Sequence, residues 1–350
     1  MLQADPNPGD GQRLSRGALP ATSLIIPSRN RPGLLLDTVQ SILKGDVIPT
    51  ELIIVDQSDA PNPDLMRMST SSACNVRYIW LETQGVSHAR NRGIAAARYD
   101  ILVFTDDDVL VMPGWLGRLI NVLCEAGTDS VVTGQVLPAT EAERPGGFAP
   151  SVKLDPVPAI YAGRVADDVL FSNSMAMSRQ AIERVGWFDE RLGPGTRFPA
   201  AEDNDFGFRL LEAGYQIRYV PEAALYHRAW RPASDLLPLR WSYGVGQGAY
   251  YAKHASMCDR YMIRRLASDG LRYARRAVRR ARRQPWLACG DMLYVLGLLW
   301  GACAWIFMHR KPARRATRAV VADDLGTSAA EMPTAIGRGV RGEHSQTDNW

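Results

Sequence analysis

Four apolar residues closed by three carboxylates constrain this chain more than any other feature: Ile101-Leu102-Val103-Phe104, then Thr105, then Asp106-Asp107-Asp108. A short continuous apolar run reads as a strand buried on both faces. Adjacent carboxylates at its end repel one another. Two unit charges about 4 Å apart cost roughly 4 kcal/mol at an effective dielectric of 20. A divalent cation relieves that cost. Mg²⁺ and Mn²⁺ take oxygen ligands, and Mg²⁺ commonly uses one or two carboxylates together with phosphate oxygens. A carboxylate–metal–diphosphate bridge is therefore the economical reading. The bland reading is an acidic solvated loop, because short motifs match by chance.

The pattern around this run alternates strand and helix. Ser23-Leu24-Ile25-Ile26 reads as a buried strand, and Pro32 opens a helix on which Leu35, Val39, Ile42 and Leu43 recur at helical spacing. Gly45 ends that helix, and Leu52-Ile53-Ile54-Val55 is the next strand, finishing at Asp56. Strand, helix and strand at this spacing predict a right-handed parallel βαβ unit. Ser87 is expected to cap a helix running to Ala97. Residues 138–170 are rich in Pro and Gly and read as loop or insertion. Phe206, Leu210 and Ala213 share a helical face closed by Gly214, and Tyr215–Val220 alternates like a strand. The predicted class is α/β, with a mostly parallel central sheet and helices on both faces. Ligands in such sheets gather outside the carboxyl ends of the strands, where Asp56 and Asp106–Asp108 fall.

The chain has 350 residues, of which 46% are hydrophobic and 22% charged, enough to bury one large core or two modest ones. The net charge is only +4, yet residues 264–283 hold nine arginines against one aspartate, Asp269. The five cysteines, Cys74, Cys124, Cys258, Cys289 and Cys303, show no C-x-x-C spacing and fit reduced thiols. The N-terminus lacks a basic region followed by an apolar one, so it does not read as a secretory signal, and a cytoplasmic location is expected.

Several blocks come in a recognisable order. They are Ser23–Asn30, Glu51–Asp56, Ala89-Arg90-Asn91-Arg92-Gly93, Phe104–Asp108, and Glu202-Asp203-Asn204-Asp205 followed by Arg209 and His227. Together they resemble family 2 glycosyltransferases, which have the GT-A fold, over about residues 21–230. The resemblance implies transfer of a sugar from a nucleotide-diphosphate donor to a hydroxyl, with inversion at the anomeric carbon. It implies that Pro27 and Arg29 lie beside the nucleotide and that Asp56 bonds the nucleobase, usually uracil. Arg90 would approach the nucleotide or its phosphates, and Asp106 and Asp107 the donor. Asp106, Asp108 and His227 would hold Mn²⁺ or Mg²⁺, and Asp203 would be the general base. The residues themselves leave alternatives open. Asp203 at a helix start is favoured as a carboxylate by about 0.3–1 kcal/mol, which would keep it ionised. Asp205 competes for the same role, and Glu202 would orient the site or the acceptor. His227 could be structural. Arg90 and Arg92 could be helix-surface charges. Trp187 and Phe188 could pack, or could face the acceptor.

The C-terminal part carries a different signal. The arginines from Arg264 to Arg283 form a basic helical segment, assigned here to residues 256–284. Residues 285–309 follow as an apolar helix, broken in charge only by Asp291. From Met292 to Met308 a helix would span about 25 Å, short of the roughly 30 Å hydrocarbon core. Basic residues stand on both sides, with Arg310, Lys311, Arg314 and Arg315 after it. That favours a re-entrant or interfacial membrane segment over one span. Anionic lipid is the expected partner, a buried helix packed on the catalytic domain the alternative, and nucleic acid is not expected. The acceptor would be a glycan or a lipid-linked one, as in cell-envelope polysaccharide. The remaining boundaries place a disordered tail at 1–20, the catalytic domain at 21–255, and a basic, then polar, tail at 310–350. A nucleotidyltransferase is disfavoured by the absence of a glycine-rich phosphate loop after the first strand, and a non-catalytic sugar- or lipid-binding module by the retained carboxylates.

Overall fold

The computed structural model describes residues 19–67, 74–139, 147–255 and 259–309. The elements begin with β1 (Thr22–Ser28), α1 (Pro32–Leu43), β2 (Glu51–Asp56), α2 (Pro63–Met66), β3 (Asn75–Trp80) and α3 (Val86–Ala96). They continue through β4 (Ile101–Thr105), β5 (Val109–Val111), α4 (Trp115–Ala126), β6 (Ser130–Pro138), β7 (Ala159–Tyr161) and β8 (Ser174–Ser178). The last are α5 (Arg179–Val185), α6 (Glu202–Glu212), β9 (Gln216–His227), α7 (Leu236–His254), α8 (Tyr261–Arg280) and α9 (Pro285–His309).

Among the described residues, nine strands form one sheet in the order β3-β2-β1-β4-β8-β6-β9-β5, with β7 beside β9. Strands β3, β2, β1 and β4 run parallel, as the βαβ pattern requires. Beyond β4 the sheet is mixed rather than mostly parallel. Strand β8 runs antiparallel to both β4 and β6, while β6 and β9 pair parallel. Strand β8 reads Ser-Met-Ala-Met-Ser, with too little β-branched content to announce itself in the sequence.

Alternate residues of β1 feed two cores. Leu24 and Ile26 pack with Leu35, Val39 and Ile42 of α1 and with Trp115 and Leu119 of α4. Ile25 packs with Ala89 and Ile94 of α3 and with Phe206 and Leu210 of α6. Helices thus cover both faces of the sheet. The contact of α3 with β1 is close: a Cβ on Gly93 would lie 2.4 Å from Ile25 Cγ2. The residue that starts α3 differs from expectation. Gly85 is its N-cap, and Ser87 lies inside the helix, where its hydroxyl donates instead to the Leu192 carbonyl at 2.8 Å.

Helix α7 was not legible in the sequence, and it organises the C-terminal part. It runs alongside α9 with backbones in contact. Cβ atoms on Gly244 and Gly248 would lie 2.3 and 2.0 Å from the carbonyl oxygens of Tyr294 and Leu298. Gly297 and Gly301 approach Trp241 and Val245 in the same way. Only glycine permits such an approach. Helix α8 packs on α9 through stacked Tyr273 and Tyr294, whose centroids are 3.8 Å apart. Asp291, fully buried, accepts hydrogen bonds from Arg276 and Arg280 of α8. Among the described residues, α7, α8 and α9 fall in the same compact unit as the sheet. The expected tails lie largely outside the described residues, as do Cys258, Lys311, Arg314 and Arg315.

Candidate active site

The carboxyl ends of β1 and β4 and the end of β9 meet in a cavity of about 500 Å³. Pro27, Arg29, Arg31, Asp106, Asp107, Asp108, Arg90, Glu202 and His227 line it. Sheet register explains the meeting of distant residues. Antiparallel β5 and β9 pair Val109 with His227, which sets the histidine beside Asp108.

His227 Nε2 lies 3.2 Å from Asp108 Oδ1, yet that oxygen is buried without a hydrogen-bond partner, as is His227 Nδ1. One ligand atom each from Asp106, Asp108 and His227 falls within 4.8 Å of the others. Two carboxylates and an imidazole with an unsatisfied buried oxygen form a donor set that fits a divalent cation. The other oxygen of Asp108 accepts from Arg31 at 2.6 Å, and Arg31 also stands 3.2 Å from Asp107. Burial alone would raise the Asp108 carboxyl, but His227 and Arg31 outweigh it and hold the group down at about 2. The reverse balance holds at Asp107. Burial pushes its carboxyl up to about 6 despite Arg31 and a hydrogen bond from Ser28. Burial would lower His227, but Asp108 and Asp106 raise it overall.

Arg90 is buried and bridges the two sides of the cavity. It donates to Asp106 at 3.1 Å and to Glu202 at 3.1 Å, and it sits over the Phe188 ring. Phe188 itself stacks on Phe206 in the core. Trp187 is exposed and Arg92 lies on the surface; neither lines the cavity.

Asp56 also lies off the cavity wall. It accepts from Ser58 and Tyr78, and the neighbouring Gln57 lines the cavity with a buried amide nitrogen that has no partner. Helix α6 starts after Ala201, a non-glycine residue at φ +70°, so Glu202 and Asp203 leave a strained turn. Glu202 faces the cavity, whereas Asp203 borders a smaller one with Asp168 and Asn204. The helix start does not dominate Asp203. Burial, with Glu202 alongside, pushes its carboxyl up to about 8. Asp205 is fully buried and surrounded by Lys253, His254 and Arg209, all within 3.0 Å, so it is held in a structural ion cluster.

Arg31, Gln57, Tyr243 and Arg231 line the cavity and were not singled out by sequence. Arg31 immediately precedes Pro32, and its place one turn from the first strand was the available signal.

Two family models match nearly the whole described chain. Residues 23–144 match "Glycosyl transferase family 2", and residues 152–310 match "Glycosyl transferase family group 2". The chain belongs to glycosyltransferase family 2. Among family 2 relatives, the "Pre-mycofactocin glycosyltransferase" of Mycobacterium tuberculosis is 28% identical over 237 residues, 66% of this chain and 48% of that protein. The chain thus spans about half the length of that relative. "Glycosyltransferase AglE" of Haloferax volcanii is 28% identical over 261 residues, covering 71% of this chain and 78% of that one. The solved mannosyltransferase PcManGT from Pyrobaculum calidifontis, in complex with GDP-Man and Mn²⁺, superposes with a TM-score of 0.54 at 16% identity. That match covers 81% of this chain and 87% of the mannosyltransferase, and it gives the fold as GT-A.

Proposed function

We propose that this chain transfers a sugar from a nucleoside-diphosphate sugar to a hydroxyl acceptor, with inversion at the anomeric carbon and with Mn²⁺ or Mg²⁺ bound. The observation that carries the reading is the convergence of Asp106, Asp108 and His227 around an unsatisfied carboxylate oxygen in the cavity. Those three residues would hold the ion, which when bound neutralises the departing diphosphate. The solved neighbour, which carries GDP-Man and Mn²⁺, is consistent with this.

Arg29 and Gln57 bring a buried guanidinium nitrogen and an amide to the donor side, both without protein partners. Arg90 ties Asp106 on that side to Glu202 on the other. Of the acidic pair at the start of α6, Glu202 is engaged by Arg90, while Asp203 accepts only from the Asn204 amide among the described residues. A carboxyl with a raised pKa and no cation hydrogen-bonded to it is the better proton acceptor. In the reaction the acceptor oxygen forms the new bond to the anomeric carbon. The bond from that carbon to the diphosphate oxygen breaks, the diphosphate leaves with the electron pair, and Asp203, in the small pocket next to cavity-lining Glu202, would take the proton of an acceptor approaching from that side. An acceptor on a glycan or a lipid-linked glycan fits this reading. The test is release of nucleoside diphosphate from a panel of UDP- and GDP-sugars with Mn²⁺ and with chelator. Release from at least one donor, abolished by chelator, is expected. No release from any donor, with and without a hydroxyl acceptor, would overturn the reading.

A further inference from the structure

Helix α9 has two unlike faces. One, with Tyr294, Gly297, Leu298, Gly301, Ala302 and Trp305, is buried. The opposite one carries Met292, Leu296, Leu299, Trp300 and Ile306, between 42% and 51% exposed. These positions recur at helical spacing and form an apolar stripe about 20 Å long at 1.5 Å per residue. A stripe of that size is uncommon on a protein that meets only water. Its neighbour α8 exposes Ile263, Leu271 and Val278 together with Arg264, Arg275 and Arg279, which make no ion pair with a described residue. Apolar residues mixed with unpaired arginines complement an anionic lipid surface.

The packing also decides how α9 meets that surface. From Gly290 to Gly301 its buried face lies on α7 from Leu236 to Gly248, the two helices running parallel. Farther along, the Trp305 ring packs against that of Phe198, tilted to it with centroids 5.3 Å apart. Helix α7 also serves the polar side of the molecule. Tyr243 lines the active-site cavity, and Gln247 bonds Asp168 and Asn204. Helix α9 cannot cross a bilayer without drawing those polar groups into hydrocarbon. Its one charge, Asp291, is turned inward and paired with Arg276 and Arg280.

We propose that α8 and α9 form a docking face for an anionic bilayer, on which α9 lies along the surface with its exposed stripe at the acyl boundary and does not cross. The full chain is tested by co-sedimentation with vesicles of phosphatidylcholine alone and of phosphatidylcholine with phosphatidylglycerol. Binding is expected to the anionic vesicles and to be weakened by salt. Leu296→Glu with Leu299→Glu should weaken it at least about tenfold. Arg275→Gln with Arg279→Gln should weaken it on anionic vesicles only. Both pairs are on the surface, so unchanged thermal melts would exclude misfolding. Carbonate at high pH should release the bound protein. Equal pelleting of wild type and both variants would overturn the proposal. So would retention after carbonate, which indicates a crossing helix, or a dimer in solution dissolved by Leu296→Glu, which indicates a second copy as the occupant. None of these readouts depends on sugar transfer.

Discussion

His227 Nε2 faces Asp108 Oδ1 at 3.2 Å across the β5–β9 pairing, and the oxygen between them and Asp106 is buried without a hydrogen bond. The two carboxylates are each held by an arginine. Asp108 is gripped by Arg31 on its other oxygen, and Asp106 by Arg90.

Asp203→Asn is expected to lower kcat by about 10²–10⁴-fold, the usual worth of a general base. Donor affinity should stay close to wild type. Glu202→Gln should instead affect donor and acceptor binding through Arg90. Steady-state transfer, with donor binding measured by calorimetry, separates the two.

The raised carboxyl of Asp203 gives a pH signature. A base must be deprotonated, so kcat/KM of the free enzyme should rise with pH through about 8. Stability moves the other way. A carboxyl whose folded pKa lies above its unfolded value stabilises the fold below the unfolded value, and this contribution is lost as pH rises through about 8. Asp203→Asn should therefore lose less stability than wild type between pH 6 and 9, roughly the window below and above the raised value. Thermal melts across that range check it.

Arg90→Ala should destabilise the protein by about 3–5 kcal/mol, because it leaves buried Glu202 and half-buried Asp106 uncompensated. Chemical denaturation measures the loss. Lysine should restore only part of it, since one ammonium cannot fork to both Asp106 and Glu202.

Gly248→Leu would force a side chain onto the Leu298 carbonyl, 2.0 Å from where its Cβ would lie. It should lower stability by at least about 1–3 kcal/mol. Because α7 also carries Tyr243 and Gln247, transfer should fall with it. Gly33→Ala, at a helical position with nothing within 4 Å of the added Cβ, is the control and should be near neutral.

The first half of the fold was legible because β1, β2 and β4 are buried on both faces and read as unbroken apolar runs. The acidic cluster was legible because it ends one of them. Strands β3 and β8 were not: Asn75–Trp80 includes Arg77, whose charge is neutralised by Glu51, and β8 is made of small and flexible residues. Helix α7 hid because glycines and aromatics replace the usual apolar stripe where it meets α9. The partners of Asp291 in the apolar helix were not legible, because its arginines lie on α8, a neighbour no local pattern reveals. The cavity's further residues, such as Arg231 and Tyr243, come from parts of the chain that only tertiary packing brings to the first strand.

Mn²⁺ titration in the presence of UDP or GDP, followed by thermal shift, compares wild type with Asp108→Asn and His227→Ala. A ligand that binds the folded state raises its apparent stability. Wild type is expected to show a metal-dependent rise in Tm, with the metal affinity it reports weakened at least about tenfold in either variant. A rise of equal size and midpoint in all three proteins, or none in wild type with either nucleotide, would contradict it.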